Sequence, residues 1–407
     1  MNKENRISLF DTSTLTRETV AILNSFDEII QGVRPLNSRQ LQQLPEHIRE
    51  LSHQLTDDRA SRRLGYMNDN VQLSSYVRYY TWWNLVRLTR LFANLPDSVF
   101  PTADTTCLDL GSGPLTVVTA LWLARPELRK LKLIWYCLDV SANSMALGED
   151  IFLSIAAKAK ATDPSIEPWQ IIRVKGPFGT PIKQKAGFLT CANMFNELDQ
   201  ASDMPPEFTT KKYYEQLTRY TERDASILLV EPGVPKAART LSLLRSRFIK
   251  DGRIIAAPCP HAEECPMSGF KAYTGSKNKW CNFAFSTEDA PSKLQKLSVA
   301  AKLPKERATL SFMAVTHGGS PTTGSTTGNT AIRITSDKLR LPNYMCGYYG
   351  CSQYGLVLLT LPDENNTRLP KPPFRPQSGD LISVKIKKPD SLPRDEKSGA
   401  LVIKFIS

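Results

Sequence analysis

The sequence has no long hydrophobic run. Among its 407 residues no window approaches the ~20 consecutive apolar residues that cross a bilayer. The opening stretch MNKENRISLFDTSTLTRE also lacks the apolar core of a secretory signal. These absences predict a cytoplasmic protein with no membrane partner. In that setting eight cysteines do not form a disulfide framework, and the thiols are left for burial, metal ligation or catalysis. Internal repeats are missing too, which argues against a repeat architecture. Wholesale disorder is excluded, because 41% of the residues are hydrophobic and 23% are charged. What the chain has in excess is positive charge: Lys and Arg outnumber Asp and Glu by 12. That balance favours a polyanionic partner, of which RNA is the commonest.

The chain is longer than one ordinary domain. Residues 15–95 space their apolar side chains by three and four, which predicts helices. The last of these is aromatic, with Tyr76, Tyr79, Tyr80, Trp82 and Trp83 among Arg78, Arg87 and Arg90. Such a stripe packs against a domain more often than it stacks on bases. From Thr106 the pattern becomes strand, helix, strand, which predicts a parallel, doubly wound sheet. The divisions expected are a helical region at 1–98, a Rossmann-like domain at 99–256, a cysteine-rich region with strands at 257–361 and a β appendage at 362–407. HGGSPTTGSTTGN reads as an exposed linker within the third.

CLDLGSGPLT sets Asp109, Gly111, Gly113 and Pro114 at a strand end ahead of a helix, where glycines let the backbone approach a ligand and helix amides supply donors. The dinucleotide fingerprint needs another glycine at position 116, which is Thr. The next strand ends at Asp139, placed to accept hydrogen bonds from ribose hydroxyls. Together these residues resemble the first two motifs of class I S-adenosylmethionine-dependent methyltransferases. No nucleophile, general base or metal dyad accompanies them, and methyl transfer needs none, since the sulfonium carries the reactive group. Asn196, Glu197 and Glu231 sit at later strand ends as substrate-side candidates, with capping roles equally open.

Cys107, Cys137 and Cys191 lie inside apolar strands and read as small buried side chains. Cys259, Cys265 and Cys281 instead gather in one polar, proline-punctuated stretch, with five and fifteen residues between them. A fourth thiol is available from Cys346 or Cys351, and His261 offers an alternative donor. Four soft thiolates suit zinc or an iron–sulfur cluster. Lys236, Arg239, Arg245, Arg247, Lys250 and Arg253 precede the loop, and Lys271, Lys277 and Lys279 lie inside it. This density predicts a phosphate-contacting surface.

LDLGSGP, CLDVSANSM, NMFNEL, LLVEPG, APCPH, CP and KWCNF, in that order from about Tyr76 to Gly355, resemble the Rsm22 family, which is linked to the small ribosomal subunit. The resemblance implies an α/β fold: a class I methyltransferase (Rossmann-like) domain with N-terminal helices, a cysteine-rich metal-binding insertion and a small C-terminal β region. It implies S-adenosyl-L-methionine as cofactor, a 4Fe-4S cluster (alternatively zinc) on Cys259, Cys265, Cys281 and Cys351, and action on or with ribosomal RNA of the small subunit. A non-catalytic, RNA-binding assembly factor is the other reading. Two departures stand out. Leu115 replaces a usual glycine, which predicts crowding of the cofactor's methionine end, and Asn282 replaces a usual histidine beside Cys281.

Overall fold

The computed structural model describes residues 6–56, 66–200, 204–270, 279–318, 329–366, 368, 374–386 and 389–404. A two-residue strand β1 (Arg6–Ile7) precedes helices α1 (Arg17–Asn24), α2 (Phe26–Val33), α3 (Ser38–Thr56), α4 (Asn70–Tyr76) and α5 (Trp82–Ala93). A π-helical turn over Val77–Thr81 joins α4 to α5. The aromatic stripe packs inward. Trp82 Nε1 donates to Leu23 O at 2.8 Å, Trp83 Nε1 to Ser298 Oγ at 3.1 Å and Tyr79 OH to Leu303 O at 3.1 Å. Arg78, Arg87 and Arg90 are buried with them.

The central sheet is laid down by alternation: β2 (Thr106–Leu110), α6 (Thr116–Ala124), β3 (Ile134–Asp139), α7 (Ala142–Thr162), β4 (Gln170–Lys175) and β5 (Ala186–Ala192). It continues through α8 (Met194–Gln200), α9 (Pro206–Tyr220), β6 (Thr221–Glu231), α10 (Pro235–Lys250) and β7 (Ile254–Ala257), then β8 (Phe283–Ser286), α11 (Ser292–Ala300) and β9 (Arg307–Thr316). Strand order is β4-β3-β2-β5-β6-β9-β7, with β8 pairing β9. The pairs among β2 to β6 are parallel, whereas β9 runs antiparallel between β6 and β7. This is the class I methyltransferase-like α/β arrangement, a doubly wound sheet with one reversed strand near its edge. The reversed strand comes from residues beyond 256, so the central sheet extends past the boundary expected from the sequence.

The remaining strands are β10 (Thr330–Ile334), β11 (Leu339–Leu341), β12 (Met345–Ser352), β13 (Gly355–Pro362), β14 (Leu381–Val384) and β15 (Leu401–Lys404). They form a second sheet, β1-β14-β10-β12-β13-β15 with β11 on β12. The expected division at 361/362 therefore falls inside one sheet, and that sheet recruits the chain's earliest described strand. Most of the linker, residues 319–328, lies outside the described residues. No helix among the described residues is long and apolar enough to cross a membrane.

Candidate cofactor cleft and thiol centre

Strand order reverses around β2, because β3 lies on one side of it and β5 on the other. Open α/β sheets bind ligands at the carboxyl ends of the strands at such a point. Gly111 (φ 64°) and Gly113 (φ 49°) take left-handed backbone there, which an L side chain resists. The loop amides turn inward rather than toward a ligand. Gly111 N and Ser112 N donate to Leu138 O at 2.9 and 3.1 Å, and Gly113 N donates to Asp139 Oδ2 at 2.9 Å. Asp139 Oδ1 accepts from Ser141 N at 2.8 Å, so one carboxylate ties the glycine loop to the start of α7. Each of its oxygens keeps a lone pair for a further donor. Asp109 is fully buried: Oδ1 accepts from Thr190 Oγ1 at 2.7 Å, and Oδ2 has no partner. Burial raises its carboxyl to about 7, with the hydroxyls of Thr190 and Ser112 opposing.

Pro114 sits under α7, where a Cβ on Gly148 would fall 2.3 Å from its carbonyl carbon. Gly148 is thus a positioning residue for the loop, and an isolated glycine in a helical run was its sequence signal. Leu115 does not crowd the cleft. It takes left-handed backbone (φ 53°) and its side chain is fully buried in the core, so the cost of this departure is local strain. The N-terminal helices wall the cleft. Ser141 Oγ donates to Asn68 Oδ1 at 2.9 Å, and Ser144 Oγ lies 3.5 Å from Met67 Sδ. Tyr76 is raised by burial and further by Glu197 and Asp139, which places all three side chains in one field.

Asn196 and Glu197 are half-buried on α8. Glu231 is buried and caps that helix, accepting from Phe195 N at 3.0 Å and Asn196 N at 3.1 Å. A carboxylate at a helix start is favourable, and Glu231 takes the capping role that its place at a strand end had left open. Arg87, unremarked as a site residue, crosses from α5 to donate to Thr309 O at 3.1 Å and Asn193 Oδ1 at 3.0 Å.

The thiols of Cys259, Cys265 and Cys281 line one cavity with Arg245, Ser242 and Phe312. Cys351, from β12 of the other sheet, shares their field. Burial pushes the thiols of Cys265, Cys281 and Cys351 up; the neighbouring cysteines add to this and Arg245 opposes it. Cys346 is five positions from Cys351 on the same strand, an odd separation that sends it to the opposite face. There it lies 3.9 Å from Pro362 O and 3.7 Å from Arg375 Nη1. His261 is buried and pushed down to about 4 by burial and by Arg245. Asn282 Nδ2 donates to Gly233 O at 3.3 Å, pinning the loop to the turn after β6. Among the described residues no group of three or more His, Cys, Asp or Glu side chains is arranged to hold a metal ion. The four sulfurs thus share an environment without closing tightly on one point.

Two buried guanidiniums complete this centre. Arg245 Nε donates to Cys259 Sγ at 3.2 Å and Nη2 to His261 O at 2.8 Å. Burial works against its charge, but Cys259, Cys265 and Cys351 outweigh that and hold it above its ordinary value. Arg333, from β10, donates Nε to Pro258 O at 2.9 Å and Nη1 to Gly379 O at 2.7 Å. Burial lowers it to about 10, with Cys351 and Cys259 opposing. The sequence reading missed Arg333 and put Arg245 on a phosphate-contacting surface. That surface needs further correction. Arg253 is buried against the carbonyls of Thr316, Arg223 and Ala225. Arg239 pairs with Glu207 Oε1 at 2.6 Å, and Arg247 donates to Glu207 O at 3.2 Å. Lys236 and Lys250 are exposed, as is Lys279, which lies over the Tyr349 ring. Lys271 and Lys277 lie outside the described residues.

The sequence matches the family described as "Mitochondrial small ribosomal subunit Rsm22" over residues 80–338. No curated protein sequence gives a significant match. Among solved structures, a SAM-dependent methyltransferase from Geobacter sulfurreducens in complex with S-adenosyl-L-homocysteine is similar at 13% identity, covering 57% of this chain and 90% of that one, with a TM-score of 0.31. A putative RNA methyltransferase from Pyrococcus horikoshii is similar at 11% identity over 57% of this chain and 82% of its own (TM-score 0.30). A SAM-dependent methyltransferase from Thiobacillus denitrificans, also in complex with S-adenosyl-L-homocysteine, reaches 14% identity over 57% and 90% (TM-score 0.29).

Proposed function

The chain belongs to the Rsm22 family, and from that premise we propose a SAM-binding, methyltransferase-like protein that acts on or with small-subunit ribosomal RNA in the cytoplasm. The observation that carries this reading is the glycine loop at the strand-order reversal, with Asp139 holding Gly113 N at 2.9 Å. In this reading Asp139 receives the ribose hydroxyls on its remaining lone pairs, Gly111 and Gly113 admit the ligand's backbone-side approach, and Asp109 and Pro114 fix the loop from beneath. Bound S-adenosyl-L-methionine supplies an activated methyl group. Tyr76, Asn196 and Glu197 stand at the cleft as groups that orient a substrate.

The same proposal gives the thiol centre an iron–sulfur cluster of the 4Fe-4S type, held by Cys259, Cys265, Cys281 and Cys351. Four thiolates carry negative charge, and the buried Arg245 and Arg333 would balance it without any carboxylate in the cavity. With all four irons held by thiolates no iron is left open to bind substrate, and the cluster would tie the two sheets together. Protein purified without oxygen is expected to be brown and to contain iron, and Cys265→Ser to lose both. Colourless protein with stoichiometric zinc overturns the cluster in favour of the other metal.

A second reading, an assembly factor that uses the fold only as an RNA-binding scaffold, is favoured by the inward-turned amides of Gly111, Ser112 and Gly113. Calorimetric titration with S-adenosyl-L-methionine, followed by labelled methyl transfer to small subunits caught during assembly, separates the two. Binding with transfer supports the enzyme; binding without transfer supports the scaffold; no binding removes the cofactor from both.

A further inference from the structure

A cavity of about 370 Å3 opens among the N-terminal helices, and none of its lining residues belongs to the cleft or the thiol centre. Its size falls in the range of small-molecule sites, about 300–1,000 Å3. Arg34 stands in its wall, donating Nε to Ser74 Oγ at 3.2 Å and Nη2 to Asn70 Oδ1 at 2.8 Å. Because Arg34 occupies the Asn70 oxygen and one acceptor position on Ser74, these two side chains have chiefly an amide NH2 and a hydroxyl proton left to offer. His47 adds an imidazole, and no carboxylate lines the cavity.

Behind Arg34 stands a second guanidinium. Arg78 is buried; its Nη2 donates to Arg34 O at 2.6 Å and to Gln31 Oε1 at 2.9 Å, while its Nη1 has no acceptor. Burial, with a smaller contribution from Arg34, lowers Arg78 to about 10. Among the described residues neither arginine has a carboxylate partner, so two like charges sit together with hydrogen-bond capacity to spare. An anion in the cavity would relieve that repulsion and find donors already in place. Leu36, Leu44 and Val71 line the same space, giving apolar wall that a bare oxyanion leaves uncovered.

We propose that this cavity is a second ligand site that takes a phosphate-bearing nucleotide, with the phosphate against Arg34 and the nucleoside along Leu36, Leu44 and Val71. The nucleotide is either free or the end of an RNA strand. The site lies N-terminal to the stretch that matches the family and does not depend on the function proposed above.

The test is calorimetric titration of the full chain with AMP, with inorganic phosphate and with a short 5′-phosphorylated oligoribonucleotide. Two variants accompany it: Arg34→Gln, which removes the charge, and Val71→Trp, which fills the mouth at an exposed position and leaves both arginines intact. AMP or the oligonucleotide should bind the wild-type chain more tightly than inorganic phosphate does, and each variant should weaken that binding at least ~10-fold, the loss of one charge-assisted contact. Preference for AMP marks a free nucleotide, and preference for the oligonucleotide marks a strand end. The proposal is overturned if neither binds at millimolar concentration, if phosphate alone binds equally well, or if both folded variants bind undiminished. Should Arg34→Gln fail to fold, Val71→Trp decides.

Discussion

The cofactor cleft and the thiol centre are built on opposite plans. The cleft is local: Asp109, the glycines, Asp139 and Gly148 all come from consecutive strand–helix units, and its polar atoms largely satisfy one another. The thiol centre draws its side chains from α10, the loop after β7, the approach to β8, and β10 and β12 of the other sheet. No carboxylate lines its cavity, and of its two buried cations Arg333 also has the buried Asp380 in its field. The difference teaches that the polar atoms of the first region are answered within the fold, whereas the second sets buried cations beside thiols, a pairing that the proposed cluster would complete.

The sharpest way to break that comparison is Arg333→Met. Removing one partner from a buried charged set costs about 3–5 kcal/mol, and urea melts should register that loss in iron-loaded protein. After iron is stripped the cost should shrink, because Arg333 then keeps only Asp380 as an anion in its field. Equal losses in both states would mean that Arg333 serves only Pro258 O and Gly379 O.

Next in size is a pH effect confined to the cleft. Folded Asp109 titrates near 7, against 3.8 when unfolded. The folded chain therefore holds the extra proton between those limits. The contribution of Asp109 to stability is fullest below about pH 4 and falls as pH rises to about 7, by roughly 2–4 kcal/mol. Asp109→Asn should flatten this decline in melts run across that window. A decline of unchanged size would assign the slope to other groups.

Gly148→Ala should cost about 1–3 kcal/mol, the price of overpacking, because its Cβ would strike Pro114. It should weaken S-adenosyl-L-methionine binding by calorimetry while leaving iron content unchanged. Loss of iron in this variant would show that the two regions are coupled. The smallest effect belongs to Arg239→Ala, which removes the half-buried partner of the exposed Glu207, at about 1 kcal/mol or less, with both regions intact by the same two measurements.

The local plan was legible in sequence and the dispersed one was legible only in its thiols. Alternating strands and helices, CLDLGSGP and the acid ending β3 announce themselves within short windows. The placement of β9 between β6 and β7 did not, since an antiparallel partner from beyond residue 300 leaves no mark on its neighbours. Arg333 was missed and Arg245 was put on a phosphate-contacting surface because a cation in a short strand or amphipathic helix reads as solvent-facing until the sulfurs opposite are known. Leu115 was misplaced for a related reason: its left-handed backbone swings the side chain into the core, and nothing in GSGPLT signals that turn.

Arg6 and Ile7 pair with Ile382 and Leu381, and Arg6 Nε meets the buried Asp380 Oδ2 at 3.0 Å. During synthesis a segment that emerges early must therefore wait, unpaired, until nearly all of the described chain has followed it. Closure of that edge is a late, long-range event with a high loop-closing cost. A chain cut short before β14 would leave β1 without its partner strand and Arg6 without Asp380.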